Sequence, residues 1–200
     1  MLNVNGLTSK DAHVARLAAA LERRLGRKID ILGLVETKLA SEDATDAADA
    51  PVLSGFHLVG RCDREGDGGG GGVAVYTRDT LLASVVDGPR DDASESVCVR
   101  VGVSPRAPRF LVCYRAPQVD AAPLFRVIQH HADECGGVGA PLVVGGDLNW
   151  TTGSLQGQVR HLGSSWPGGG ERPPIRYEDS WGGLRGPSDT HLLIYSYIKR

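Results

Sequence analysis

A chain of 200 residues with 41% hydrophobic and 23% charged side chains has the composition of one folded domain. That excludes a disordered chain, a collagen-like fibre and a coiled coil. With 22 basic and 24 acidic side chains the net charge is −2, so a contact with nucleic acid must rest on a local basic patch rather than on a global field. The apolar runs fall far short of the roughly 20 residues of a membrane span, and no basic stretch followed by an apolar core opens the chain. No membrane partner and an intracellular location are expected. Cys62, Cys98, Cys113 and Cys135 are widely spaced without a C-x-x-C pair, which favours buried reduced thiols.

In chain order, Leu2 to Gly6 alternates apolar with polar residues and breaks at glycine, predicting a short strand with Asn5 at its polar tip. Thr8 and Asp11 have capping-box spacing, and Val14, Leu17, Ala18, Leu21 and Leu25 recur at helical intervals, so a first helix is predicted from Ser9 to Leu25. Ile29 to Val35 is an apolar run of the kind buried on both faces, and it delivers Glu36 at its end. From Ala40 to Ala50 the chain is acidic, small and aperiodic, as in an exposed loop. Phe56, Leu58 and Gly60 suggest a short strand. The glycines at 66 and 68–72 lead into Val73 to Tyr76 with no helix behind them, which fits a turn into a strand and not a phosphate cradle.

Ser96 to Val103 and Phe110 to Tyr114 read as strands joined by a loop with Pro105 and Pro108. Pro123 opens a second helix with the stripe Leu124, Val127, Ile128 and Ala132, stopped by Gly136 and Gly137. His130 and His131 on it read as ordinary surface or boundary histidines. Leu142 to Val144 is a buried strand running into Gly145-Gly146-Asp147-Leu148-Asn149. Beyond Thr151 glycine and proline break the chain into loops, and His191 to Ile198 is a last strand.

Asn5, Glu36 and the pair Asp147 with Asn149 therefore stand at the ends of three apolar runs. Two readings of this pattern are open. Asp and Asn after a strand commonly make turns through their own backbone. Alternatively the strands converge on one polar site, whose hard oxygen ligands, without His or Cys, suit Mg²⁺ and phosphoryl hydrolysis.

Five blocks carry a resemblance: Asn3-Val4-Asn5-Gly6-Leu7, Asp30 to Thr37, Gly71 to Tyr76, Val112-Cys113-Tyr114-Arg115-Ala116-Pro117 and Gly145 to Asn149. In this order they resemble the endonuclease/exonuclease/phosphatase superfamily, most closely the apurinic-type endonuclease domain of non-LTR retrotransposons, over residues 1 to about 150. The resemblance implies one α/β domain over 1–200, a four-layer sandwich of two mixed sheets flanked by helices, its last strands incomplete. It also implies that Glu36 binds the metal with Asn5 beside it and that Tyr114 contacts the scissile phosphate. Asp147 orients and deprotonates the attacking water, with Asn149 as its hydrogen-bonding partner. The implied cofactor is Mg²⁺, with Mn²⁺ as a substitute. The implied substrate is DNA, and the location is nuclear for a eukaryotic retrotransposon product.

The C-terminal part departs from this pattern. Ser188-Asp189-Thr190-His191 is the family's Ser-Asp-His segment with one residue inserted. In the favoured register, however, Asp179, Trp181 and Thr190 precede a penultimate strand at Ile194 to Ile198, Ser196 replaces an aspartate, and the final Ser-Asp-His segment is missing. Loss of one member of a cooperative site costs several powers of ten in rate, so a catalytically dead remnant stands beside the nicking enzyme. A phosphomonoesterase of the same superfamily is a further alternative.

Overall fold

In the computed structural model, residues 1–8, 10–39, 50–64, 70–90 and 94–149 are described, together with the backbone of two strands at 175–177 and 192–196. Apolar residues on both faces of consecutive strands require cover on both sides, and the chain meets that demand with four layers. One sheet has the order β1 (Leu2–Asn3), β2 (Ile31–Val35), β4 (Val73–Arg78), β3 (Phe56–Cys62), with β1 parallel to β2 and the other pairs antiparallel. The second has the order β5 (Ala83–Val85), β6 (Ser94–Val101), β7 (Arg109–Arg115), β8 (Leu142–Asp147), β10 (Leu192–Ser196), β9 (Ile175–Tyr177). Its first three strands are antiparallel and the rest parallel, so both sheets are mixed.

Side-chain alternation sorts each strand between two layers. Val35, Val73, Val75, Val97, Val99, Val112 and Tyr114 meet between the sheets. Leu32, Leu34, Ala74 and Tyr76 point outward onto Val14 and Ala18 of α1 (Asp11–Leu25). Leu111, Cys113, Leu142 and Val144 point the other way onto Leu124, Ile128 and Cys135 of α2 (Ala122–Val138). The expected α/β sandwich of two mixed sheets flanked by helices is thus the observed fold. The sheets approach closely where β2 crosses β7: a Cβ at Gly33 would lie 2.9 Å from Val112 Cγ2.

The helix ends differ from the sequence expectation. Helix α1 starts at Asp11 behind Lys10, with no side-chain cap, so Thr8 and Asp11 form no capping box. Instead the Lys10 amide bonds to Leu7 O, and its Nζ donates to Val4 O and Asn5 O, each at 2.7 Å. Helix α2 runs past Gly136 and Gly137 to Val138, and left-handed Gly139 closes it while the Ala140 amide bonds to Cys135 O. His131 is no boundary residue. Its side chain is 3% exposed, and burial pushes its pKa down to about 4, with His130 adding to the shift. The four cysteines are free thiols, with Cys98, Cys113 and Cys135 buried, as expected. Among the described residues no helix is long and apolar enough to cross a membrane.

Candidate active site

Each sheet sends polar side chains to the same end of the sandwich. Strand β2 delivers Glu36, and parallel β1 sets Asn3 opposite Val35. In the other sheet, β8 ends on Asp147, which stands in register with Tyr114 of β7, itself opposite Glu95 of β6. One amide ties the two sheets together: Asn3 Nδ2 donates to Glu36 Oε1 at 2.7 Å and lies 3.3 Å from Asp147 Oδ2. Among the described residues four non-glycine positions have positive φ, namely Asn5 (45°), Glu36 (56°), Lys38 (52°) and Asn149 (46°), and all follow these strand ends. A left-handed residue with a Cβ costs about 1–2 kcal/mol, so strain is concentrated where the polar groups are aimed.

Asp147 is 2% exposed, and its other oxygen, Oδ1, accepts the Asn149 amide at 3.3 Å. The loop that follows is held by Arg115, whose guanidinium donates to Leu148 O at 2.9 Å, to Asn149 O at 2.7 Å and to Val119 O. In return Asn149 Nδ2 donates to Arg115 O at 2.7 Å. Burial lowers the Arg115 pKa, and Asp120 and Asp147 oppose that shift. Gly146 is required by β7 beside it, since a Cβ there would lie 1.7 Å from Cys113 O. The resulting close approach brings Asp147 alongside Tyr114.

Tyr114 is 7% exposed. Its phenol pKa is raised by burial first and then by Glu36, against which Arg64 acts, with Asp147 and Glu95 raising it further. The Arg64 guanidinium sits 5.5 Å from the ring centroid and forms a fork with Glu95, at 2.5 Å to Oε1 and 3.2 Å to Oε2. A fixed cation over an aromatic face beside two carboxylates is a place for an anionic group bridged by a metal.

Of the five residues singled out from sequence, Glu36, Tyr114, Asp147 and Asn149 come together here. Asn5 does not. It is exposed, and its Oδ1 accepts Lys38 Nζ at 2.5 Å, while Asn3 takes the place between the carboxylates. The reason is local: two residues apart on a strand share a face, but the positive φ of Asn5 turns it out of the strand. Lys10 and Lys38 both donate to Asn5, at its carbonyl and its Oδ1, so two basic side chains meet there. Sequence reasoning missed Asn3, Arg64, Glu95 and Arg115; the signal present for Asn3 was its place inside the first motif, one face of β1 from Leu2.

The expectations about Asp179, Trp181, Ser188, Asp189, Thr190 and His191 lie outside the described residues. The strand predicted from His191 to Ile198 is β10, parallel to β8 with the Ser196 backbone opposite Gly146. The acidic cleft fits a hard divalent cation: its donors are carboxylate and carboxamide oxygens, with no thiol or imidazole among the contacts described above.

No curated protein matches the sequence. Among solved structures the chain is similar to the Xenopus laevis APE2 catalytic domain (15% identity, TM-score 0.45, covering 74% of this chain and 57% of that one). It is also similar to the human Nocturnin catalytic domain with bound sulfate (15%, 0.45, 75% and 62%) and to D. rerio TDP2 complexed with single-strand DNA product (16%, 0.44, 80% and 61%). The chain spans about six-tenths of the length of these structures. The model of the Endonuclease/Exonuclease/phosphatase family matches residues 2–192, and the chain belongs to that family.

Proposed function

We propose that the protein is a Mg²⁺-dependent phosphodiester hydrolase that nicks DNA in the manner of non-LTR retrotransposon endonucleases. The observation that carries this reading is the Asn3 amide joining Glu36 to Asp147 beside Tyr114. Glu36 and Asn3 would hold the cation, which when bound neutralises charge on the phosphate. Asp147 is the general base. Its carboxylate, oriented by the Asn149 amide on one oxygen and by Asn3 on the other, takes the proton of the attacking water. The water oxygen bonds to phosphorus and the opposite ester oxygen leaves with the bonding pair.

Tyr114, kept protonated by its raised pKa, donates to a non-bridging phosphate oxygen, and Arg64 above the ring adds positive charge there. Lys10 and Lys38, both bonded to the neutral Asn5, supply the local basic patch that a net charge of −2 requires for contact with a phosphate backbone. The motif spellings Asn-Val-Asn-Gly-Leu and Tyr-Arg-Ala-Pro support the nuclease branch over a phosphomonoesterase.

The test is a supercoiled-plasmid assay. Open circles should form with Mg²⁺ and be absent with EDTA or in Asp147→Ala. Failure of the wild-type chain to nick favours the dead remnant, and phosphate release from inositol or lipid phosphates without nicking favours the phosphomonoesterase.

A further inference from the structure

Helix α2 carries a second group of metal-ligating side chains, far from the acidic cleft. His130 and Glu134 are four residues apart and His131 and Glu134 three, so Glu134 lies on the face that both rings share. His130 Nε2 is 3.7 Å from Glu134 Oε1, and His131 Nδ1 is 3.9 Å from Glu134 Oε2. One ligand atom from each residue can be chosen so that all three lie within 4.8 Å of one another. Tetrahedral coordination with bonds of about 2.0–2.2 Å sets neighbouring ligands about 3.4 Å apart. The two measured separations run to different carboxylate oxygens, so the three chosen ligand atoms, at most 4.8 Å apart, must close by up to about 1.4 Å to reach that spacing, a movement open to the half-exposed His130 and Glu134 side chains.

The independent sign of a ligand is His131 Nδ1. The side chain is 3% exposed, and this nitrogen is buried with no hydrogen-bond partner while pointing toward Glu134. Burial of an unsatisfied ring nitrogen costs about 1–3 kcal/mol unless something binds it. The other edge of the ring is covered: a Cβ at Gly88 would lie 2.6 Å from His131 Cε1 and 2.7 Å from Nε2. Arg109 Nη1 donates to Glu134 Oε2 at 2.7 Å, which fixes the carboxylate while Oε1 stays turned to His130.

We propose that His130, His131 and Glu134 form a binding site for a borderline divalent transition metal of the Zn²⁺ class. Two imidazoles and one carboxylate suit such an ion, whereas Mg²⁺ prefers an all-oxygen set. His130 and Glu134 are 42% and 40% exposed, so water can complete the coordination. The neighbouring Arg109 charge weakens cation binding, which makes this an exchangeable site and not a closed structural one. It is separate from the acidic cleft: Arg109 opens β7 and Tyr114 stands five residues on, about 16 Å away at strand rise.

The experiment is a Zn²⁺ titration of the full chain, stripped with chelator and held in excess Mg²⁺, read by calorimetry and by the rise in melting temperature, with Co²⁺ as a spectroscopic substitute. Wild type should bind one equivalent, His130→Ala and Glu134→Gln should each weaken binding at least tenfold, and Glu36→Gln should bind as wild type. The half-exposed positions of His130 and Glu134 keep those variants folded, and His131→Gln serves as a third. Equal Zn²⁺ binding in wild type and in both His130→Ala and Glu134→Gln would overturn the proposal. So would a thiolate charge-transfer band with Co²⁺, which would assign the ion to Cys98 or Cys135 instead, or the absence of binding by wild type.

Discussion

Strand β7 ends in polar groups on both sides, and the two ends are held in opposite ways. At its start Arg109 pairs with Glu134 on a helix face that is 40% exposed at the carboxylate, where water competes for each contact. At its far end Tyr114 and Arg115 are 7% and 6% exposed, and each neighbour is fixed by another: Asn3 joins Glu36 to Asp147, Arg115 holds Leu148 and Asn149, and Glu95 holds Arg64. Buried polar groups must be satisfied, so removing one partner at that end leaves others stranded. At the other end water can replace a partner lost by half-exposed His130 or Glu134, although Arg109 and His131 beside them are 11% and 3% exposed. The closed end is therefore built to fix a geometry, and the open end to admit and release a ligand.

The largest expected effect breaks this comparison if the ends are coupled. Asp147→Ala removes the proposed base, and nicking should fall about 10²–10⁴-fold, the range general acid–base catalysis supplies. Zn²⁺ binding at α2 should stay at the wild-type value in the same variant. A parallel loss of both would mean that the substitution acts through β8 and the core, and the two ends could no longer be treated as independent.

The next effect separates the two asparagines of the first motif. Asn3→Ala leaves Glu36 and Asp147 without their shared donor, and the rate at saturating Mg²⁺ should drop about 10-fold to 100-fold, as for other groups that orient metal-binding carboxylates. Asn5→Ala frees Lys38 on an exposed surface and should change the rate less than about threefold. Equal losses would return Asn5 to the metal site.

How much of this was legible in sequence follows from where the information lies. Strands buried on both faces announce themselves as apolar runs, which is why β2, β4, β6, β7 and β8 could be read directly. Strand β5, with three residues and an exposed Val85, carries no such run. Asn5, Glu36, Asp147 and Asn149 stood out as polar residues at the ends of apolar segments, whereas Tyr114 was singled out only by the family resemblance. The choice between Asn3 and Asn5 turned on a left-handed φ at Asn5, which depends on the Gly6 and Leu7 amides reaching Glu36 O and Thr37 O. Arg115 reads as a motif residue, but its partners are 33 and 34 positions away, and no local pattern announces them. His131 is hidden for a similar reason, because its burial is set by a loop at Gly88 that packs across it.

A stability effect comes third and sharpens the contrast in how the ends are held. Arg115→Met leaves the carbonyls of Leu148 and Asn149 without their donor in a buried setting, and unfolding free energy should fall by about 3 kcal/mol. Arg115→Lys should recover little, since an ammonium cannot span carbonyls that a planar fork reaches together. At the other end Arg109→Met should cost about 1 kcal/mol or less, because Glu134 is open to water. Chemical denaturation of the three variants measures the difference directly.

The smallest effect concerns the middle of β7, which neither end should disturb. Cys113 lies there with its thiol fully buried, and burial pushes its pKa far above the ordinary thiol value. Cys98 is pushed up to about 12, again by burial first, whereas half-buried Cys62 is raised less, with a backbone hydrogen bond from Ser96 opposing the rise. Only the thiolate attacks an alkylating reagent, and only an accessible one. Iodoacetamide at mildly alkaline pH should therefore label Cys62 first in the native protein and leave Cys113 unmodified until the chain unfolds. Peptide mass mapping over time reads both rates. If the ends of β7 are separate units resting on a rigid centre, Cys113 labelling should accelerate in Arg115→Met only by the factor its lost stability dictates, and Zn²⁺ should slow it only by the factor that its binding adds to global stability. Labelling of Cys113 that outpaces global unfolding would show that the strand opens locally, and a response to Zn²⁺ larger than the added global stability accounts for would show that the open end reaches the core.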